Sequence, residues 1–239
     1  MSNQRLPKNK SVLLRVDLNL PFKKGEFTDL SRLVAIGPTL NKLLKNNCKV
    51  GLISHLGRPD PDNFEERFSL KNVAKAIEQM FKIGCEFTEI DKTSIANILP
   101  KLDSTRVLLL ENTRKYKGEK QDDPKFAKDL AANFDHFVFD AFAVAHRKNA
   151  TTHAIFDELP STHGLLVERE IAHLKPLLYD QFEKPLTVIL GGKKIETKIG
   201  VIINFLTKSE NILIGGAMAN TFLKAKGFNI GKSIHEPKK

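Results

Sequence analysis

Six short apolar runs, each broken by polar residues before the next helix-period segment, constrain this 239-residue chain more than any other feature. They are SVLLRV at Ser11–Val16, KVGLI at Lys49–Ile53, RVLLL at 106–110, HFVF at 136–139, TVIL at 187–190 and NILI at 211–214. Leu-rich and β-branched runs alternating with helical segments form the pattern of a parallel α/β sheet. Because the runs are nearly continuous rather than alternating, helices must cover both faces. Leu33, Ile36, Leu40, Leu43 and Leu44 space the apolar face of one helix, which Pro38 is expected to kink by removing a backbone donor. Val73, Ala76, Ile77 and Met80 space another. A third pattern, LLVEREIAHLKPLL, runs from about Leu165 to Leu178, ending near Pro176 or soon after it, and the polar stretch 179–185 leads into a fresh strand. The expected organisation is a Rossmann-like parallel sheet with helices on both faces over residues 1–164, a connecting helix and linker over 165–185, and a partial second Rossmann-like domain over 186–239.

The polar breaks recur at one topological place. RVDLNLP brings Arg15, Asp17 and Asn19; SHLGRP brings His55 and Arg58; ENTR brings Arg114; DAFAVAHR brings His146 and Arg147. In open α/β sheets the ligand crevice lies outside the carboxyl ends of the strands, so these loops should converge, with Arg32 joining from the first turns of the following helix. The guanidinium fork suits carboxylate and phosphate oxygens, and five such groups suit a small polyanion better than one carboxylate. Asp17 and Asn19 would bond hydroxyls of that ligand or orient the arginines. The plainer alternative is a set of solvated charges paired with Asp17, Glu111 and Asp140.

The second part carries a different device. In TVILGGKKIETK a strand runs into Gly191 and Gly192 and then a helix start, with Lys194 and Lys198 four apart and so on one helix face. Glycines admit close backbone approach by phosphate oxygens, and a helix N-terminus favours negative charge. A tight strand-to-helix turn with surface lysines explains the same pattern. Gly215 and Gly216 in IGGAM repeat it, which favours a nucleotide. GFNIGKS at 227–233 is not a P-loop, because Lys226 stands five residues before Gly231 where that motif requires glycine.

Of 38 Lys and Arg and 28 Asp and Glu, nine basic and three acidic residues lie beyond residue 185. Such an excess fits an anionic partner, or part of a larger domain whose acidic remainder is absent. Two cysteines, Cys48 and Cys85, make neither a disulfide framework nor a four-Cys zinc site, and the seven histidines lack metal-ligand spacing. No G-x-S-x-G elbow occurs. The polar start MSNQRLPKNK and the lack of any run of about 18 apolar residues lead to an expectation of a cytoplasmic protein with no membrane partner.

Taken in order, RVDLNLP, SHLGRP, LLLENTR with KGE behind it, DAFAVAHR, LGGKKIETKIGVI and IGGAMANTFLK resemble phosphoglycerate kinase, from about Ser11 to the end of the chain. The resemblance implies reversible phosphoryl transfer between 1,3-bisphosphoglycerate and ADP, giving 3-phosphoglycerate and ATP in glycolysis, by two Rossmann-like domains that close like a hinge. It assigns Arg15, Asp17, Asn19, Arg32, His55, Arg58, Arg114, His146 and Arg147 to 3-phosphoglycerate. It assigns Gly191, Gly192, Lys194, Lys198, Gly215 and Gly216 to the nucleotide. Arg32 and Lys198 would neutralise the charge of the phosphoryl group in flight while Lys194 guides it, in a direct in-line transfer. Mg²⁺ would arrive as MgATP or MgADP, with its protein ligand outside this chain, and the full-length enzyme would be a monomer.

The sequence departs from the family at Thr197, usually Asp; at Ala143 and Val144, usually Gly-Thr; at Phe139, usually Asn; and at Lys193 and Ala217, usually Ala and Gly. These changes bear on rate and nucleotide affinity more than on fold. The family also runs to roughly 400 residues, so the resemblance implies a whole acid-binding half and a partial nucleotide half. The alternative function is a turnover-deficient fragment that binds 3-phosphoglycerate. A nucleic-acid-binding domain is disfavoured, since no aromatics interleave with the basic loops and no helix is dense in arginine.

Overall fold

The computed structural model describes residues 5–23, 26–90 and 98–237. Two compact units divide between Ile171 and Ala172.

In the first unit the strands are β1 (Ser11–Val16), a small antiparallel hairpin of β2 (Phe22–Lys23) and β3 (Glu26–Phe27), β4 (Lys49–Ile53), β5 (Glu86–Thr88), β6 (Val107–Leu110), β7 (His136–Asp140) and β8 (Ser161–His163). All but the hairpin pair in parallel, in the order β5-β6-β4-β1-β7-β8. The helices are α1 (Ser31–Lys45), α2 (Lys71–Phe81), α3 (Ile98–Thr105), the single turn α4 (Lys117–Lys120) and α5 (Pro124–Ala131), and the division falls within α6 (Leu165–Leu178). The chain steps from β1 to β4 on one side and later returns to β7 on the other. The winding therefore reverses at β1, and the crevice lies beyond its carboxyl end.

Strand alternation sorts β1 between the two layers. Val12, Leu14 and Val16 join Leu33, Ile36, Leu40 and Leu43 of α1 and Val73 and Ile77 of α2 in one core. Leu13 joins Leu102 of α3, Leu130 of α5 and Phe137 in the other. By the same alternation Arg15 belongs to the Leu13 side, beneath the loops rather than on α1. Helix α1 continues through Pro38 without a break. Leu33, Ile36, Leu40 and Leu43 are fully buried, at about 2 kcal/mol each, which outweighs the roughly 3 kcal/mol of an interior proline. The third strand begins at Val107, not 106, because Arg106 adopts a left-handed φ of 64° and donates to the Leu44 carbonyl at 2.7 Å.

The second unit contains the parallel pair β9 (Thr187–Gly191) and β10 (Asn211–Gly215), with α7 (Ile199–Leu206) and α8 (Ala217–Ala225), part of a second Rossmann-like fold. One face of this pair is open, with Ile189 76% and Leu213 54% exposed. No helix among the described residues is long and apolar enough to cross a membrane.

Candidate functional site

The end of β1 and the loops after β4, β6 and β7 each bring a basic residue to one region, and the groups feel one another electrostatically. His55 senses Arg15, Arg114, Arg147 and Arg32, and Arg114 senses Arg147 and Arg58. The predicted convergence of five arginines and His55 is present. His146 stands exposed on the turn after β7, and among the described residues no hydrogen bond or ion pair ties it to the cluster.

The loops are braced by their own polar side chains. Asp17 Oδ2 accepts from Arg32 Nη1 at 2.7 Å and Asp17 Oδ1 from the Asn19 amide at 3.0 Å. Asn19 Oδ1 accepts from the Gly57 N–H at 2.8 Å, and the Gly57 carbonyl accepts from Arg114 Nη1 at 2.5 Å. Asn112 Oδ1 takes the amides of Leu56 and Arg114 at 3.2 and 3.1 Å, locking the loops after β4 and β6 together. A cavity of about 320 Å³ opens beside Asp17, Arg32, Phe142, Ala143 and Arg169.

Of the three carboxylates weighed as arginine partners, only Asp17 serves as one. Glu111 instead accepts from Ser69 Oγ, the Leu70 amide and the Asn112 amide, and Asp140 accepts from the Val167 amide of α6. The acid that acts most strongly on the buried Arg15 is Glu119, linked to it through Thr151 Oγ1. Sequence reasoning missed Glu119 and Thr151. The KGE triplet is their only signal, and their spacing from Arg15 gives no hint of proximity.

Arg15 is 1% exposed, and burial pulls its guanidinium down to about 10 despite Glu119 and Asp17. Burial, then the surrounding arginines, depress the His55 imidazolium to about 2. The unfolded chain takes up a proton on His55 near pH 6.5 while the folded one does not, so the stability His55 contributes is complete above about 6.5 and is lost as pH falls. Wild type should therefore lose stability below about pH 6.5, by up to about 1.4 kcal/mol per pH unit for one proton. His55→Gln should flatten that slope in denaturant titrations; an unchanged slope would exclude His55 as its source.

In the second unit Gly191 ends β9 and Gly215 ends β10, and a Cβ at either would meet open space. Gly216 has φ +68° and packs on Gly192, whose carbonyl would lie 2.9 Å from an added Cβ and accepts the Met218 amide at 3.0 Å. Lys194 and Lys198 do not share a helix face. Helix α7 starts only at Ile199, because the chain first closes a turn from the Lys198 amide to the Ile195 carbonyl. Glu236 takes the Ile195 amide at 2.7 Å, and Thr197 Oγ1 donates to the Lys194 carbonyl. Lys194 therefore sits in irregular chain ahead of that turn and Lys198 at the helix cap.

Fold and cluster together define an α/β protein with a cluster of arginines at the switch point of its parallel sheet. The phosphoglycerate kinase family model matches residues 3–239, and the chain belongs to that family. It is similar to the phosphoglycerate kinases of Finegoldia magna and Thermosipho africanus, each at 44% identity over 97% of this chain, covering 59% and 58% of those proteins. It superposes on the phosphoglycerate kinase structure from Coxiella burnetii with a TM-score of 0.80 at 36% identity, covering 99% of this chain and 59% of that one. For the Pyrococcus horikoshii enzyme the TM-score is 0.81 at 30% identity, covering 94% and 57%. The chain thus spans about three-fifths of the length of these relatives.

Proposed function

We propose that residues 1–164 bind 3-phosphoglycerate or 1,3-bisphosphoglycerate, that 165–185 connect, and that 186–239 supply part of the ADP or ATP site of a cytoplasmic, monomeric phosphoglycerate kinase. The observation that supports this reading is the shared field of Arg15, Arg32, Arg114 and Arg147 at His55, with Arg58 and Arg147 acting on Arg114. Exposed guanidinium groups repel one another unless an anion lies among them, and carboxylate and phosphate oxygens match their forks. Asp17 and Asn19 brace Arg32 and the Gly57 turn, and Arg15 lies beneath the patch. Gly191, Gly192, Lys194, Lys198, Gly215 and Gly216 would face the nucleotide phosphates and base. Among the described residues no three His, Cys, Asp or Glu side chains gather into a metal site, and Mg²⁺ would enter bound to the nucleotide.

Titration with 3-phosphoglycerate and with ATP tests the reading. The acid should bind, and Arg58→Ala should weaken it by about 1–3 kcal/mol, the range for a lost charge-assisted bond. Unchanged affinity would remove Arg58 from the site, and failure of the acid to bind would remove the reading. The open face at Ile189 and Leu213 favours one variant of it, acid binding without turnover.

A further inference from the structure

Arg15 is too deeply buried to serve as a surface contact, and its donors are directed almost wholly at protein acceptors. Its Nε donates to Thr151 Oγ1 at 3.1 Å. Thr151 then delivers both its hydroxyl and its amide to the Glu119 carboxylate, at 2.8 and 3.0 Å. Nη1 donates to the Val16 carbonyl and, at 3.5 Å, to that of Ile53. Nη2 lies 3.2 Å from His55 Nδ1. A guanidinium can only donate, so Nδ1 must accept, and the single proton of the neutral ring then sits on Nε2. Among the described residues the buried side-chain polar atoms without partners are Thr113 Oγ1 and Asp140 Oδ2. His55 Nε2 is not one of these fully enclosed atoms, and among the described residues it bonds no protein group, although the residue as a whole is only 3% exposed.

We propose that Glu119 and Thr151 anchor Arg15, which donates outward both to Thr151 and to His55, and that this hydrogen-bond chain fixes His55 as the Nε2–H tautomer and presents that N–H to an anionic ligand. Direction runs from fixed donor to fixed acceptor: Arg15 can only give, Glu119 receives two bonds from Thr151, and Thr151 Oγ1 accepts one while donating the other. The charged groups facing the imidazole are Arg15, Arg114, Arg147 and Arg32, all cations, so a second ring proton is resisted. Glu119 and Asp17 offset the charge of Arg15 itself. The ring thereby offers a donor whose state does not change through the range where an ordinary histidine titrates. Glu119, Thr151 and Arg15 are positioning residues, acting through His55. What the N–H meets rests on the proposed 3-phosphoglycerate reading; the tautomer does not.

The test is long-range ¹⁵N–¹H NMR of the imidazoles in the ligand-free chain, with His55 assigned by its absence from His55→Gln. From about pH 5 to 8, His55 should show one neutral pattern, Nε2 protonated and Nδ1 bare. Thr151→Val should introduce an Nδ1-protonated fraction or restore titration, and Thr151→Ser should return the wild-type pattern. A wild-type ring protonated at Nδ1, or titrating near its ordinary value, overturns the proposal. A wild-type-like spectrum in Thr151→Val removes Thr151 and Glu119 from the hydrogen-bond chain. Should Thr151→Val not fold, Glu119→Gln, which keeps the shape, takes its place. Since no 3-phosphoglycerate is in the tube, failure here and failure of acid binding are separate results.

Discussion

Given 1,3-bisphosphoglycerate and MgADP, this chain is expected to turn over at least about a thousandfold more slowly than a full-length relative while still binding 3-phosphoglycerate, a barrier increase of roughly 4 kcal/mol. In-line phosphoryl transfer involves little covalent chemistry by the protein, so its rate comes from positioning and from charges fixed around the moving group. Loss of a single preorganised donor costs about a hundredfold to a thousandfold. Here more than one contribution is deficient. The chain matches 59% of the length of its Finegoldia magna relative. Its second unit has a two-stranded sheet with one face open, and no Cβ-distance neighbour stands beside Gly191 or Gly215. Thr197 puts a hydroxyl, bonded to the Lys194 carbonyl, where the family resemblance places a carboxylate. A coupled assay reads the outcome directly. Turnover within tenfold of a full-length enzyme would overturn this view of the second unit. Recovery on adding a polypeptide matching the remaining two-fifths of the relatives would trace the deficit to that part.

The sheet was legible where strands are long and apolar, and invisible where they are not. β1, β4 and α6 match their expected bounds. β5 (EFT) and β8 (STH) are three-residue edge strands held by backbone pairing to β6 and β7, with no period to read. The candidate site followed from one rule, that loops at strand ends share a crevice, and this placed the arginines without any knowledge of their contacts. What the rule could not see is depth. A residue inside the last turn of a strand, Arg15, points into the layer below, while one just beyond it, Arg58, is exposed. Nor could it pair Arg15 with Thr151, 136 residues away. The lysine pair failed for a local reason: an i, i+4 argument requires both residues to be helical already, and α7 starts after both.

Gly164→Ala is expected to destabilise the chain by about 3 kcal/mol or more, at the upper end for overpacking a tight site. An added Cβ would lie 2.3 Å from Asp140 Cγ, 2.4 Å from Oδ1 and 2.7 Å from Cβ. Such a clash is cheap only if the neighbour is a flexible tip, and Asp140 is not. It is fully buried at the end of β7, and its Oδ1 accepts the Val167 amide at 3.0 Å, one of the donors that the first turn of α6 cannot satisfy internally. Gly164 is tied as firmly, its amide donating to the Phe139 carbonyl at 2.9 Å. Burial already holds the Asp140 carboxyl above the usual carboxylate range, so displacing it from the Val167 amide removes a bond that favours its charge. Strand and helix would have to separate, or the carboxyl would have to give up the helix end. A double-mutant cycle distinguishes this from a general loss of packing. Asp140→Ala removes Cγ and Oδ1 and leaves only the Cβ contact, so Gly164→Ala should cost at least about 1 kcal/mol less in that background, the scale of coupling between touching residues. Additive losses in denaturant unfolding would show that the two side chains do not collide, and a Gly164→Ala midpoint equal to wild type would show that the β7–α6 junction has room that the geometry denies.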